Sequence, residues 1–305
     1  MLEKYNPSSL RGNFERNKYF EGWFQKVYST QYRASFILIY GYTTHNSNDK
    51  FGFLQVLIPN QIPETVYFSK DEVSCDPDRH IFRMGNNLMT RDLIQINMHD
   101  LGIDLNLMNN HTIRTFKNSM GYAYYIPNLP CYHSVLNASQ TVSGQIRHKG
   151  VYYALENEMG YWEKNWGSSF PEIYFWVHAV DPNDPGISLL FSRAEIVWLG
   201  KTFNKHVGHL RFDGQHIDLR ELQHFTISNL IRSPDHQIIQ IRSLSVQLDI
   251  SLQFGTKVMF KGPKDGELSR AILHQTDASI DVSLTWKNTT RRFQMVGNFE
   301  NIGSV

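Results

Sequence analysis

The sequence predicts an all-β protein made of two similar antiparallel β-barrels in tandem. Three observations lead to this prediction. Apolar and polar residues alternate with a period of two along most of the chain, turn-forming residues separate these runs, and two short motifs each occur twice. Alternation with this period is typical of strands that bury one face, whereas the 3.6-residue period of amphipathic helices is almost absent.

The first predicted strands are SFILIYGY at 35–42, FGFLQVLI at 51–58 and LIQINM at 93–98. They are rich in the β-branched and aromatic residues that strands favour. The same pattern continues through the chain in VSGQIRH, VYYALEN, IYFWVHAV, ISLLFSRAEIV, HVGHLRF, SVQLDISLQF, ASIDVSLTW and RRFQMVGNF.

Tight turns are predicted at residue pairs that accept the positive φ angles of two-residue hairpins. These pairs are Lys149-Gly150, Asp213-Gly214 and Asn288-Thr289. A short helix is predicted after Trp162, and residues 165–171 are predicted to form a turn because they include Gly167 and Pro171.

The repeated motifs suggest an internal duplication. GYWE at 160–163 resembles GNFE at 297–300, and WFQKV at 23–27 resembles WVHAV at 176–180. The two copies meet near residues 168–172, which predicts an N-terminal barrel over 1–170 and a C-terminal barrel over 171–305.

Each predicted unit holds about seven to nine strands, enough to close a barrel and so remove exposed sheet edges. A barrel of that size has room for its own side chains or for one small apolar ligand. The architecture is therefore predicted to be a pair of lipocalin-like barrels.

Composition excludes several classes of protein. The 305 residues carry 30 Lys and Arg against 29 Asp and Glu, a net charge of +1, so no broad basic field for nucleic acid is expected. Cys75 and Cys131 form no CxxC pair, which argues for a reducing compartment. Without an apolar run typical of a signal peptide or a membrane span, we expect a cytoplasmic protein that has at most transient contact with a membrane surface.

Common catalytic motifs are missing from the sequence. It contains no HExxH, no His/Asp/Glu set with metal-ligand spacing, no phosphate-binding GxxxxGK[ST], no GxGxxG after a strand and no GxSxG. We therefore predict no metal site and exclude kinases, simple NAD enzymes and α/β-hydrolases.

The segment ENEMGYWEKNWGSSFPEIYFW at 156–176 is the densest in aromatic and acidic residues. A helical turn would place Glu163 and Trp166 on one face. Two interpretations are open: Glu163 is an acid kept protonated by an aromatic pocket, or it caps backbone amides or pairs with Lys164 in a structural plug.

Two further segments contain candidate polar residues. If YFEGWFQKVY at 19–28 is a strand, Glu21, Trp23 and Gln25 share one face and Lys26 lies on the other. Glu21 is then either buried inside the barrel or exposed at its rim. In IPNLPCYHSV at 126–135, His133 is a candidate base, although a lone histidine is more often structural.

These segments resemble the tocopherol cyclase family. The resemblance rests on YFEGWF at 19–24, CYHSV at 131–135, GYWEKNWGSSFPEIYFW at 160–176 and GPKDGELSRAILHQT at 262–276. It implies two lipocalin-like barrels, similar to carotenoid-hydratase and Diels–Alderase relatives. It also implies a cofactor-free reaction, in which an acid protonates an alkene and a phenol oxygen, or water, captures the resulting cation.

The resemblance further implies roles for individual residues. Glu163 and Glu21 are candidate acids, and His133 is a candidate catalytic base that acts with Tyr132 on the phenol. The expected substrate-binding residues are Trp23, Tyr132, Tyr161, Trp166, Trp176 and His178, of which the three tryptophans would stabilise a cation.

The leading functional prediction is a cyclase or hydratase that acts on a hydrophobic small molecule. The alternatives are a non-catalytic carrier or sensor of such a molecule, and an interaction protein with filled barrels. A buried acid that faces the ligand would favour the enzyme.

Overall fold

A computed structural model describes residues 9–11, 14–45, 50–109, 119–220, 225–233 and 235–303. The predicted all-β class is confirmed, since these residues form β-strands and short 3-10 helices such as Lys70–Glu72 and Gly121–Tyr125, with no α-helix among them. Nor is any described helix long and apolar enough to cross a membrane.

The chain divides into two compact units. The first comprises Met1–Phe170 with Phe260–Ala271, and the second comprises Pro171–Met259 with Ile272–Val305.

The first unit is built around one antiparallel sheet of eleven strands, in the order β4-β3-β2-β1-β11-β10-β9-β8-β7-β6-β5. The first strand of the unit therefore lies between the second and the last. The strands are β1 (Phe20–Ser29), β2 (Ala34–Thr43), β3 (Gly52–Leu57), β4 (Glu64–Phe68), β5 (Val73–Asp76), β6 (Ile81–Met84), β7 (Asn87–Met89), β8 (Leu93–Asn97), β9 (Leu101–Asn109), β10 (Cys131–His148) and β11 (Val151–Gly167).

A second sheet, of ten strands, repeats this arrangement; it belongs to the second unit except for Phe260–Ala271, which covers the end of β19 and the start of β20. Its main order is β15-β14-β13-β12-β21-β20-β18-β17-β16, and β19 pairs with β20 outside that order. The strands are β12 (Tyr174–Asp181), β13 (Asp184–Trp198), β14 (Lys201–Phe212), β15 (Gln215–Asp218), β16 (Thr226–Arg232), β17 (His236–Arg242), β18 (Val246–Gln253), β19 (Thr256–Lys264), β20 (Glu267–Trp286) and β21 (Thr289–Ile302).

Each sheet curves around its own apolar core. In the first unit, Val66 and Val73, from the two ends of the strand order, contact the same core cluster. In the second unit, Ile217 and Ile227 do the same. Burial of each large apolar side chain in such a core contributes about 1.5–3 kcal/mol of stability. Each sheet buries its apolar face by curling around that face.

Two of the three predicted tight turns lie where expected. Both residues of Lys149-Gly150 and of Asp213-Gly214 have positive φ angles and join consecutive strands. The third turn is Lys287-Asn288, with φ angles of 50° and 60°, one residue before the predicted pair. The twist of a hairpin favours a positive φ at both turn positions, and Asn288 occupies the second position of the turn rather than the first.

The helix predicted after Trp162 and the start of the predicted turn are wrong. β11 continues to Gly167, and β1 and β10 pair with it on its two edges. These two ladders form hydrogen bonds with the backbone of the segment, so strand pairing outweighs the local preference of its residues for a helix or a turn. In a strand, residues three apart face opposite sides, so Glu163 and Trp166 do not share a face.

Only one of the two repeated motifs marks equivalent positions. Trp162 and Phe299 both face a core, and the glutamate that follows each faces the other way. Trp23 also faces the core of its unit, whereas Trp176 belongs to the opposite face of β12. By strand register, Trp176 lies opposite Glu300 as Phe24 lies opposite Glu163, so the tryptophan motif is shifted by one residue.

We expect Gly41→Ala to lower the free energy of unfolding by about 2–3 kcal/mol, measured by urea denaturation. A Cβ at Gly41 would lie 2.2 Å from the Glu21 carbonyl oxygen on the paired strand. Gly22→Ala is the matched control, because Gly22 is the cross-strand partner of Gly41 and its Cβ would meet Phe53 at 3.4 Å, an ordinary contact. Equal stability losses in both variants would contradict the close approach.

Candidate functional site

Two polar clusters lie on opposite sides of β11. Along this strand, Trp162, Lys164 and Trp166 point to the core of the first unit. Tyr161, Glu163 and Asn165 alternate with them and point the other way. We call the first set, with its partners, the core-side cluster and the second the Glu163 cluster.

The core-side cluster is centred on an ion pair between Glu21 and Lys164, both fully buried. The Glu21 carboxylate also accepts hydrogen bonds from the Tyr42 hydroxyl at 2.7 Å and from the backbone N–H of Arg11 at 2.9 Å. Lys164 Nζ donates to the carbonyl oxygen of Ser9 at 2.6 Å. The buried charges are thus paired and hydrogen-bonded, as such groups must be.

Two tryptophans enclose the ammonium group of this pair. The ring centres of Trp23 and Trp166 each lie 5.1 Å from Lys164 Nζ, within the range of a cation–π contact. Burial lowers the pKa of Lys164 to about 8, and the charge of Glu21 limits the decrease. The indole faces that the sequence assigned to a substrate cation therefore stabilise a cation of the protein itself.

The Glu163 cluster forms a chain of hydrogen bonds. The Tyr161 hydroxyl donates to Glu163 Oε2 at 2.7 Å, and Asn165 Nδ2 donates to Oε1 at 3.1 Å. His133 Nδ1 lies 3.1 Å from Asn165 Oδ1, an acceptor, so Nδ1 carries the proton. His133 Nε2 then faces Glu163 Oε2 across 3.9 Å, too far for a hydrogen bond.

Burial is high around this cluster. The side chains of Glu163 and His133 are 8% and 16% exposed. His133 Nε2 is buried and has no hydrogen-bond partner within the described part of the chain. Phe24 lies opposite Glu163 across the sheet, and its ring is 6.4 Å from that of Tyr161. Burial and, to a smaller degree, the Glu163 charge raise the pKa of the nearby Cys131 thiol.

The structure separates the residues that the sequence proposed as one site. Glu163, His133 and Tyr161 lie together in the Glu163 cluster, whereas Glu21, Trp23 and Trp166 lie together around Lys164. Trp176 and His178 belong to the second unit, where Trp176 packs near His274 at 6.0 Å between ring centres. The proposed Glu163–Lys164 pairing is wrong, because adjacent strand residues point to opposite sides and Lys164 pairs with Glu21.

Tyr132 and His133, neighbours in sequence, lie on opposite sides of β10. Its ring stacks on Trp166, with centres 5.4 Å apart and planes 7° from parallel. Its hydroxyl donates to the carbonyl oxygen of Ile126 at 2.6 Å. Tyr132 thus anchors the 126–132 link on the Trp166 side of β10, and His133 points to the opposite side.

Sequence reasoning missed several residues of both clusters. Lys164 and Asn165 belong to the segment 156–176, but the predicted helix hid the fact that their side chains point to opposite sides of a strand. Tyr42 and Phe24 have no local signal, since only strand register brings them to the glutamates. Among the described residues, no group of three or more His, Cys, Asp and Glu side chains is arranged to hold a metal ion.

We expect Lys164→Met to lower the free energy of unfolding by about 3–5 kcal/mol, because it leaves the Glu21 carboxylate buried without its counter-ion. The double variant Lys164→Met/Glu21→Gln should recover part of this loss. Lys149→Met is the control, since the Lys149–Glu64 pair is half exposed and should contribute at most about 1 kcal/mol. Urea denaturation gives the comparison, and equal losses for Lys164→Met and Lys149→Met would contradict the burial argument.

Comparison with known proteins agrees with the sequence motifs and with the fold. The model of the tocopherol cyclase-like family matches residues 108–213. Among curated protein sequences, none matches this one at a significant level.

Three solved structures are similar in fold. CghA with Sch210972 has a TM-score of 0.64 at 8% identity, covering 93% of this chain and 88% of that chain. A putative AttH from Nitrosomonas europaea has a TM-score of 0.55 at 11% identity, covering 92% and 91%. Kievitone hydratase from Nectria haematococca has a TM-score of 0.53 at 12% identity, covering 100% and 92%.

The family model confirms the resemblance that the motifs indicated, and β10 and β11, which carry Glu163, Tyr161, Asn165 and His133, lie inside the matched range. The fold comparison confirms the predicted lipocalin-like architecture. The chain therefore carries the tocopherol cyclase-like family pattern in residues 108–213, on a fold that it shares with these three proteins.

Proposed function

We propose that this protein is a cofactor-free enzyme of the cyclase or hydratase type, which protonates an alkene in a hydrophobic substrate. The Glu163–His133 pair is the acid. The family match supports this reaction class, and a hydratase and CghA share the fold. The substrate we propose is a prenylated aromatic or a similar lipophilic alkene.

The geometry of Glu163 and His133 carries the proposal. With its proton on Nδ1, a neutral imidazole presents a lone pair at Nε2, and this lone pair faces Glu163 Oε2 across 3.9 Å. Glu163 thus offers a buried carboxyl as the proton donor, and the second ring nitrogen of His133 faces it as a neighbouring base.

The reaction follows from that proton. Its transfer to one alkene carbon forms a C–H bond, breaks the π bond and leaves a tertiary cation on the other carbon. A hydroxyl of the same molecule, or water, then forms the C–O bond and loses its proton, which returns to the Glu163–His133 pair. The product is an isomer of the substrate or its hydrate, and the enzyme is regenerated.

Aromatic rings on the same side of the sheet can stabilise the cation. Phe24 and Tyr161 flank Glu163, and each desolvated ring face contributes about 1–2 kcal/mol to a nearby cation. The rings of Trp23 and Trp166 already contact the Lys164 ammonium group, so we do not assign them to the substrate cation. Glu21, surrounded by three donors, serves as the counter-ion of Lys164 rather than as a proton donor.

We expect Glu163→Gln to lower kcat by at least about 1,000-fold while substrate affinity stays nearly unchanged, because an amide cannot donate the required proton. The measurement is incubation with a panel of prenylated benzoquinols and a bacterial lipid extract, followed by liquid chromatography and mass spectrometry. Glu158→Gln is the matched control. Glu158 is another buried carboxyl of β11, bound to Ser29 Oγ at 2.5 Å and to the Thr30 N–H at 2.9 Å.

A product of unchanged mass, or of mass plus one water, formed by wild type and Glu158→Gln but not by Glu163→Gln, supports the proposal. Full activity in Glu163→Gln excludes Glu163 as the acid. A lipid that elutes bound to the protein without conversion would favour the carrier or sensor function instead.

We expect His133→Asn to lower kcat by about 100-fold and to change the shape of the pH–rate profile, because the titratable base beside Glu163 is lost. His148→Asn is the control, since His148 is also buried on β10 but lies beside Glu64, at 3.5 Å. An unaltered pH–rate profile in His133→Asn would contradict a role of His133 in the proton transfer.

A further inference from the structure

The hairpin that joins β13 to β14 in the second unit extends beyond the rest of its sheet. On one edge β12 pairs with β13 as far as Ala194, and on the other edge β15 pairs with β14 as far as His209. Among the described residues, the strand pairs of residues 196–205 are therefore with each other alone. A strand rises about 3.4 Å per residue, so the turn of this hairpin lies about 14 Å beyond Glu195.

The tip of this hairpin is apolar and exposed. Val197 is 56% exposed and Leu199 is 79% exposed, and neither belongs to the apolar core of the second unit. Trp198, which lies between them, is only partly buried. A two-stranded hairpin has no core of its own in which to bury such residues. The tip therefore gains nothing from its apolar side chains within the unit.

The turn itself does not explain the leucine either. Leu199 has a φ of 49°, in the left-handed region that is costly for residues other than Gly, Asn and Asp. The first position of the other X-Gly turns with two positive φ angles is occupied by polar residues, namely Lys149, Asp213 and Asp265. Neither backbone preference nor burial favours a leucine here, so a surface outside the unit is the remaining source of stabilisation.

Aromatic and basic side chains lie just behind the apolar tip. Lys201 is the cross-strand partner of Trp198. Lys205 lies on the same face of β14, with its Nζ 5.8 Å from the ring centre of Phe203. Residues 196–205 contain these two lysines and neither Asp nor Glu. An exposed apolar tip followed by aromatic rings and lysines is the combination that suits the interface of a bilayer with anionic lipids.

The small area of the tip favours a membrane over a protein partner. A stable protein interface buries about 800 Å² and about 20–30 residues on each side. The hairpin tip offers two exposed apolar side chains on a projecting arm. A bilayer requires no matching shape, and apolar groups enter its interface to a depth of about 5–10 Å, which is within the reach of the arm.

We propose that the β13–β14 hairpin is a membrane-contact arm, which inserts Val197 and Leu199 into the interface of a bilayer while Lys201 and Lys205 contact anionic headgroups. The lysine stems are long enough to keep their ammonium groups at headgroup level. This inference goes beyond the proposed function, because membrane contact requires no proton transfer by Glu163.

The test is cosedimentation of the full chain with vesicles of phosphatidylcholine, with and without phosphatidylglycerol. We expect Leu199→Asn to bind the mixed vesicles at least about 10-fold more weakly than the wild type, because a large apolar side chain no longer leaves water. Its thermal stability should be equal or higher, since Asn-Gly suits this turn. A loss of binding is then not a loss of fold.

Leu244→Asn is the matched control. Leu244 is a fully exposed leucine in the turn between β17 and β18, at the opposite end of the same sheet. We expect this variant to bind the vesicles like the wild type. Lys201→Gln should lower the preference for the anionic vesicles by about 5-fold, the contribution of one lysine near such a surface.

Three results would overturn the proposal, whatever the turnover assays show. They are no cosedimentation of the wild type with the mixed vesicles, equal binding of Leu199→Asn and wild type, and equal losses in Leu199→Asn and Leu244→Asn. Self-association of the wild type that Leu199→Asn abolishes, without vesicle binding, would also overturn it and identify a second copy of this chain as the partner of the hairpin.

Discussion

The surroundings of Glu163 and of Glu300 depend on the pairing of the first strand of each unit with its last strand. β1 pairs with β11 and β12 with β21, across most of the length of the unit. Such pairing closes a long stretch of chain and costs conformational entropy, which the ladder and the apolar core must offset. Once formed, it sets the register that places Phe24 opposite Glu163 and Trp176 opposite Glu300.

Strand alternation along β11 then gives its two sides different electrostatics. On the core side, the Lys164 charge is neutralised by Glu21 and enclosed by indole rings. On the other side, Glu163 accepts hydrogen bonds from Tyr161 and Asn165, and His133 Nε2 lies 3.9 Å away. The centres of the two clusters, Glu163 and Lys164, are thus neighbours in sequence that point to opposite sides of the sheet.

Period-two alternation predicted the all-β class, most of the turns and the common face of Glu21 and Trp23 on β1. It failed where local composition was unusual, at GYWEKNWG, since the aromatic and charged residues there resemble a helical turn when read three apart. Two neighbouring strands complete the ladder on both edges of this segment. A local window does not include that long-range pairing, so local spacing placed Glu163 on one face with Trp166, and only the family resemblance connected Glu163 with His133.

The sequence by itself determined the secondary-structure class, the family resemblance and the identity of Glu163 as a residue of interest, because these depend on local periodicity and on short motifs. Only the tertiary structure decided which partners each glutamate has. Lys164 for Glu21, His133 for Glu163 and His274 for Glu300 all come from other strands. Their meeting depends on strand register, and register follows from the closure of each sheet around its core rather than from any neighbouring residue.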